Sequence, residues 1–141
     1  MKITTRGRYA VMALVSLAGA SRGNPVTLKG IARDEEISEQ YLQQLFVRLR
    51  RRNLVKSVRG PGGGFILARH PAEIAIGEII RAAEGRPGRV GCRSSGRKCG
   101  MIARCRTQNM WETLEARVDA FLDSITLEDL FRQDARREAG A

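Results

Sequence analysis

Ser38-Glu39-Gln40-Tyr41-Leu42-Gln43-Gln44-Leu45-Phe46-Val47-Arg48-Leu49-Arg50-Arg51-Arg52-Asn53 runs directly into Leu54-Val55-Lys56-Ser57-Val58-Arg59-Gly60-Pro61-Gly62-Gly63-Gly64-Phe65-Ile66-Leu67-Ala68. In the first half, Tyr41, Leu42, Leu45, Phe46 and Leu49 recur at helical intervals of three and four, so one stripe is apolar. Ser38 has the side chain of an N-cap, and the spacing predicts a helix from Glu39 to about Asn53. Its other face carries Gln40, Gln43, Gln44, Arg48, Arg51 and Arg52. In the second half, two short β-type runs flank a glycine tip, which predicts a hairpin.

Outward toward the N-terminus, Thr4 or Thr5 can cap a helix that is apolar on nearly all sides from Tyr9 to Ala18 and is therefore buried. Gly23-Asn24-Pro25 stops it. A short helix follows, with Leu28, Ile31 and Ala32 on one face, and only a residue or two separates it from the Ser38 helix. Beyond the hairpin, Ile76, Ile79 and Ile80 mark a fourth helix ending near Glu84. Three helices, a hairpin and a returning helix are the plan of a winged helix-turn-helix, mainly α, with the third helix reading DNA and the hairpin as wing.

Residues 86–106 contain seven cations, three cysteines and no acid, without apolar periodicity, and read as a loop. From Met110 the helical pattern returns. Trp111, Leu114, Val118, Phe121 and Ile125 are spaced three, four, three and four, the seam of a short coiled coil. The core is already supplied by the N-terminal unit, so the expected partner of that seam is a second copy, giving a two-fold homodimer. Thr126 can cap a short last helix through Leu127, Leu130 and Phe131. The expected division is 1–85 for the DNA-binding domain, 86–107 for the basic cysteine loop, 108–131 for the dimerisation and terminal helices, and 132–141 for a charged, frayed tail.

The chain has 141 residues, enough for a single modest core. Its net charge of +10 points to a polyanionic partner, nucleic acid before anionic membrane. No window approaches eighteen apolar residues and the charged N-terminus lacks a signal-peptide cleavage region, so a cytoplasmic, membrane-free protein is expected. With His70 as the one histidine, and no nucleophile-base-acid set, an enzyme is not expected. The glycine run lacks the spacing of a phosphate loop or a dinucleotide fingerprint, which argues against nucleotide binding.

Between Arg48 and Arg59 stand six cations and no acid. Some of these favour the C-terminal dipole of the helix. In a helix-turn-helix, however, Ser38, Gln40, Gln43 and Gln44 are the types that hydrogen-bond base edges, and Arg48, Arg51 and Arg52 would meet phosphates. Arg8 and Ser57 join this expected DNA-facing set. Arg59 at the wing can enter a minor groove, where Gly60, Pro61 and Gly62 allow close approach of the backbone.

Cys92, Cys99 and Cys105 lie within fourteen residues. An odd, clustered set in a cationic loop favours a metal or redox site over disulfides. Zinc uses tighter Cys pairs, whereas three spread thiolates suit an iron-sulfur cluster, 2Fe-2S or 4Fe-4S. A cluster-free thiol redox sensor is the alternative.

Arg6-Gly7-Arg8-Tyr9-Ala10-Val11, Tyr41-Leu42-Gln43-Gln44-Leu45-Phe46, Val58-Arg59-Gly60-Pro61-Gly62-Gly63-Gly64, the three cysteines and Ile125-Thr126-Leu127 together resemble the IscR/NsrR-type family of iron-sulfur-cluster-binding winged-helix transcriptional regulators. The resemblance spans nearly the whole chain. It implies a homodimer on a palindromic operator in double-stranded DNA, major-groove reading by the third helix, minor-groove contact by the wing, and cluster ligation by Cys92, Cys99 and Cys105. Two departures stand out. Gln108 occupies the place of a ligating histidine, and Arg8 the place from which a partner's carboxylate ligates in some members; arginine cannot coordinate. Gln43 replaces a glutamate implicated in choosing between DNA sites, and the first cysteine interval is one residue longer. The fourth ligand is thus open among the Gln108 oxygen, a backbone or water oxygen, a carboxylate such as Glu112, and an exogenous thiol.

Overall fold

A computed structural model describes residues 3–21, 23–85 and 105–140. Its elements are α1 (Thr5–Ser21), α2 (Leu28–Glu35), α3 (Glu39–Arg51), β1 (Val55–Val58), β2 (Gly64–Leu67), a 3-10 turn (Pro71–Glu73), α4 (Ile76–Glu84), α5 (Gln108–Ser124) and α6 (Leu127–Ala139). The core collects Ala10, Leu14 and Leu17 of α1, Ile31 of α2, and Leu42, Leu45, Phe46 and Leu49 of α3, with Ile79 and Ile80 of α4 closing it. These are the periodic positions of the sequence, and their removal from water is the main force holding the helices together.

Local rules set the boundaries. Thr27 caps α2, its hydroxyl accepting from the Gly30 N–H, and Ser38 caps α3, accepting from Tyr41 at 3.3 Å. The chain leaves α3 through Arg52 and Asn53, the latter at φ 56°, a left-handed exit open to Asn. β1 and β2 pair antiparallel in the register Val55 with Leu67 through Val58 with Gly64. At the tip the Gly63 N–H donates to the Gly60 carbonyl at 2.9 Å, and Gly62 sits at φ +73° after Pro61, the pattern of a type II turn. The foot of the wing is tied to the body twice. Val26 and Phe65 exchange backbone hydrogen bonds of 2.9 and 2.8 Å, and Phe65 meets Phe46 of α3 edge-on at 4.9 Å.

The C-terminal part differs from the sequence reading in two respects. The last helix is long: α6 continues to Ala139, so residues 132–139 are helical where the sequence predicts a frayed tail. It is started by a complete capping box between Thr126 and Asp129 and supported by Arg132 on Glu128, so its outer half needs no apolar stripe. The core also crosses the division drawn at residue 85. Leu127 is 0% exposed within it, and the strand-like segment before it bonds across to α4, with Ile76 N–H to the Ile125 carbonyl at 2.9 Å and Leu127 N–H to the Ile74 carbonyl at 2.8 Å.

Candidate nucleic-acid interface

α3 turns one stripe to the outside: Gln40, Gln43, Gln44, Val47 and Arg51 are all exposed. Gln amides can pair bidentately with adenine. Val47, 41% exposed, was passed over in the sequence because a valine beside the core pattern looks like core; on this face it can meet a thymine methyl. Ser38 is exposed, but its hydroxyl oxygen is engaged by the cap. At the front of α3 an open cleft of about 570 Å³ is lined by Tyr9, Ser38, Gln40, Tyr41 and Gln44 among others, with Tyr9 and Tyr41 edge-to-face at 5.9 Å.

Arg50, Arg51, Arg52, Lys56 and Arg59 are exposed and form no ion pair among the described residues. Cations left without acidic partners and spread over a helix end and its wing are the electrostatic footprint of a phosphate-binding surface. Arg8 is exposed on α1, Ser57 on β1, and Arg59, Gly60, Pro61 and Gly62 form the exposed wing tip. Arg48 departs from the expected pattern. Although exposed, its guanidinium donates from Nη1 to the Ala83 carbonyl at 3.2 Å, so this arginine is aimed at the end of α4. A helix C-terminus leaves carbonyls without partners and attracts cations.

The start of α1 is held from the other end of the chain. Glu84 Oε1 accepts from the Gly7 N–H at 3.0 Å and the Thr4 N–H at 2.7 Å, as well as from the Thr4 hydroxyl. Burial pushes this carboxyl up, but the hydrogen bonds from Thr4 and Gly7, with Arg6 nearby, outweigh it and hold it below its ordinary value. A Cβ at Gly7 would stand 2.9 Å from Glu84 Oε1, which explains the glycine between Arg6 and Arg8.

Of the three cysteines, Cys92 and Cys99 lie outside the described residues. Cys105 is half-buried just ahead of α5, with Sγ 3.3 Å from Thr107 Oγ1. Gln108, one turn on, donates its amide to Glu112 at 3.0 Å. Among the described residues no three His, Cys, Asp or Glu side chains converge as a metal cage. His70 is engaged beside the wing, its Nδ1 accepting from Ala72 at 3.1 Å. Among the described residues near α5 the donors are the half-buried Cys105 thiol, a type that suits an iron-sulfur ligand, and the Gln108–Glu112 pair one to two turns on.

Of the expected seam, Met110, Trp111, Leu114 and Phe121 are 55, 37, 45 and 62% exposed, with Met110 an addition, and Val118 is half-buried. Ile125 lies past the end of α5 in extended backbone and packs on the core of its own chain, so the helical seam stops at Phe121.

Comparison with known proteins gives four matches of similar extent. Residues 3–133 match the model of the Rrf2 family, described as an iron-dependent transcriptional regulator. The HTH-type transcriptional regulator IscR of Vibrio campbellii is 42% identical over 134 residues, covering 95% of this chain and 79% of that protein. Among solved structures, T. potens IscR superposes with a TM-score of 0.77 at 40% identity over 95% of this chain and 88% of that one. CymR, the global cysteine regulator of B. subtilis, does so with a TM-score of 0.77 at 36% identity, covering 94% and 98%. These relatives are named as transcriptional regulators, not enzymes.

Proposed function

The chain belongs to the Rrf2 family of transcriptional regulators, and from that premise we propose that it is a homodimer reading a palindromic operator, its grip set by an iron-sulfur cluster on Cys92, Cys99 and Cys105. The observation that carries this reading is the construction of α5. Its head bears Cys105, its foot is bonded into the core beside α4, and between them it exposes four large apolar side chains. Burying a side chain of this size is worth about 1.5–3 kcal/mol, and a second copy of the same helix offers the matching surface.

In this account Gln40, Gln43, Gln44 and Val47 face base edges, Arg50, Arg51, Arg52 and Lys56 hold phosphates, and Arg59 enters the minor groove. Arg8, Ser57 and the glycine tip flank them, and Arg48 orients α3 from behind. When bound, the cluster supplies a redox-sensitive inorganic centre whose thiolate ligands are matched by the basic loop around them. The fourth ligand is open among the Gln108 oxygen, the Glu112 carboxylate, a backbone or water oxygen and an exogenous thiol.

The test is an anaerobic preparation assayed for iron, acid-labile sulfide and visible charge-transfer absorption. Stoichiometric iron and sulfide are expected. Protein that binds DNA but carries neither favours the second reading, a cluster-free thiol sensor. The likeness to CymR, also solved in an oxidized form from Staphylococcus aureus at 34% identity, supports keeping that reading. There, oxidant alone would change DNA affinity, and substitution of single cysteines would abolish the response.

A further inference from the structure

α4 is gripped at its C-terminal end and along one side. At its C-terminal end Glu84 accepts from Thr4 and Gly7 of α1, and the Ala83 carbonyl accepts from Arg48 of the reading helix. Along one side, from Gly77 in its first turn to Arg81 in its last, it meets α5. Arg81 Nη2 lies 2.7 Å from Asp123 Oδ1 and Nη1 lies 3.4 Å from Oδ2, a two-pronged pair one residue before the end of α5. Gly77 makes room for it: a Cβ there would stand 2.2 Å from Asp123 Oδ1 and 3.1 Å from Arg81 Nη1. Glycine inside a helix is costly, so its presence here marks a close approach that any side chain would obstruct.

Both partners of the pair are more than a third exposed, and such pairs contribute little to stability. Their geometry matters more. They fix the angle at which α5 leaves α4, and α4 is fastened directly to the reading helix. We propose that Gly77, Arg81 and Asp123 form a brace that sets the distance and rotation between the two reading heads, and thereby select the half-site spacing of the DNA. The brace rests on the dimer reading above. It is a positioning device, since none of the three residues lies on the DNA-facing surface.

Moving a half-site by one base pair shifts it by about 3.4 Å and rotates it by about 35°, so a stiff dimer discriminates sharply and a loosened one does not. The experiment uses the full-length protein, purified anaerobically, and duplexes recovered with it from a random library, remade with one or two base pairs inserted or removed at the centre. Sedimentation first establishes whether each protein is a dimer. Wild type is expected to lose about tenfold in affinity per base pair of altered spacing. Asp123→Ala and Gly77→Ala are expected to reduce that penalty to about twofold or move the optimum by one base pair, with affinity for an isolated half-site unchanged. In the double variant Gly77→Ala/Asp123→Ala the new methyl enters the vacated space, so its profile should equal that of Asp123→Ala alone. If Gly77→Ala fails to fold, Asp123→Asn and Arg81→Gln carry the test. Dimeric variants that keep the wild-type spacing profile overturn the brace; a wild type that is monomeric on and off DNA overturns the dimer reading, and the brace with it.

Discussion

Glu84 carries more structural duty than its place at the end of a short helix suggests. Its carboxylate caps the first turn of α1 across the fold, where unpaired N–H groups favour an anion. Its folded pKa lies below the ordinary 4.5, so the stabilisation is present above that value and lost as pH falls through the folded one. Glu84→Gln is accordingly expected to cost about 1 kcal/mol at pH 7, a cap-sized loss. Denaturant melts from pH 7 to pH 3 should show the variant and wild-type curves converging as pH falls below 4.5; a constant gap across that range would refute the assignment. Arg59 makes a different kind of prediction. At the wing tip, exposed and without an ion pair among the described residues, Arg59→Ala should lose about tenfold on operators with narrow A·T-rich flanks and much less on G·C-rich ones. Equal loss on both would reduce it to a phosphate contact. Neither the aim of Arg48 at Ala83 nor the reach of Glu84 to Thr4 was legible in the sequence, because each joins residues at least thirty-five positions apart through one polar group that leaves no periodic trace.

At the scale of elements, α1 through α4 and the hairpin were legible because burial imposes periods of 3.6 and 2, and the Ser38 cap and the glycine tip punctuate them. α6 was misjudged in length for the converse reason: its outer turns bury nothing and depend on the capping box and Glu128 with Arg132, signals that are weak one at a time. The seam of α5 was read correctly as apolar but carried one residue too far, since Ile125 obeys the spacing yet leaves the helix for the core. Two predictions belong here. Phe121→Glu places a charge on the most exposed apolar position of α5 and should convert the proposed dimer to monomer at micromolar concentration, seen by sedimentation, while far-ultraviolet circular dichroism stays unchanged. Gly64→Ala puts a Cβ 2.4 Å from the Val26 carbonyl, so it should detach the wing and lower DNA affinity with little effect on dimerisation. A dimer that persists in Phe121→Glu would place the interface elsewhere.

For the whole molecule, the distribution of charge separates tasks. Residues 1–85 hold fourteen cations and seven acids, residues 86–106 seven cations and no acid, and residues 107–141 four cations and eight acids. The cysteine segment thus carries as much positive excess as residues 1–85, +7 each, and α5 and α6 are acidic, which would keep them off phosphates. A dimer contacting roughly 6–10 phosphates should lose affinity with salt at a log-log slope of about −0.9 per phosphate, and a flat dependence would contradict the interface. In the proposed dimer the state of the cysteine segment governs the reading heads through α5. The most direct test is anaerobic titration of the selected palindrome with protein as purified and with the same protein after iron is removed by chelation, both kept reduced. At least a tenfold difference in affinity, or a change of preferred site, is expected between the two; identical binding curves from an iron-loaded and an iron-stripped sample would overturn control by the cysteine segment.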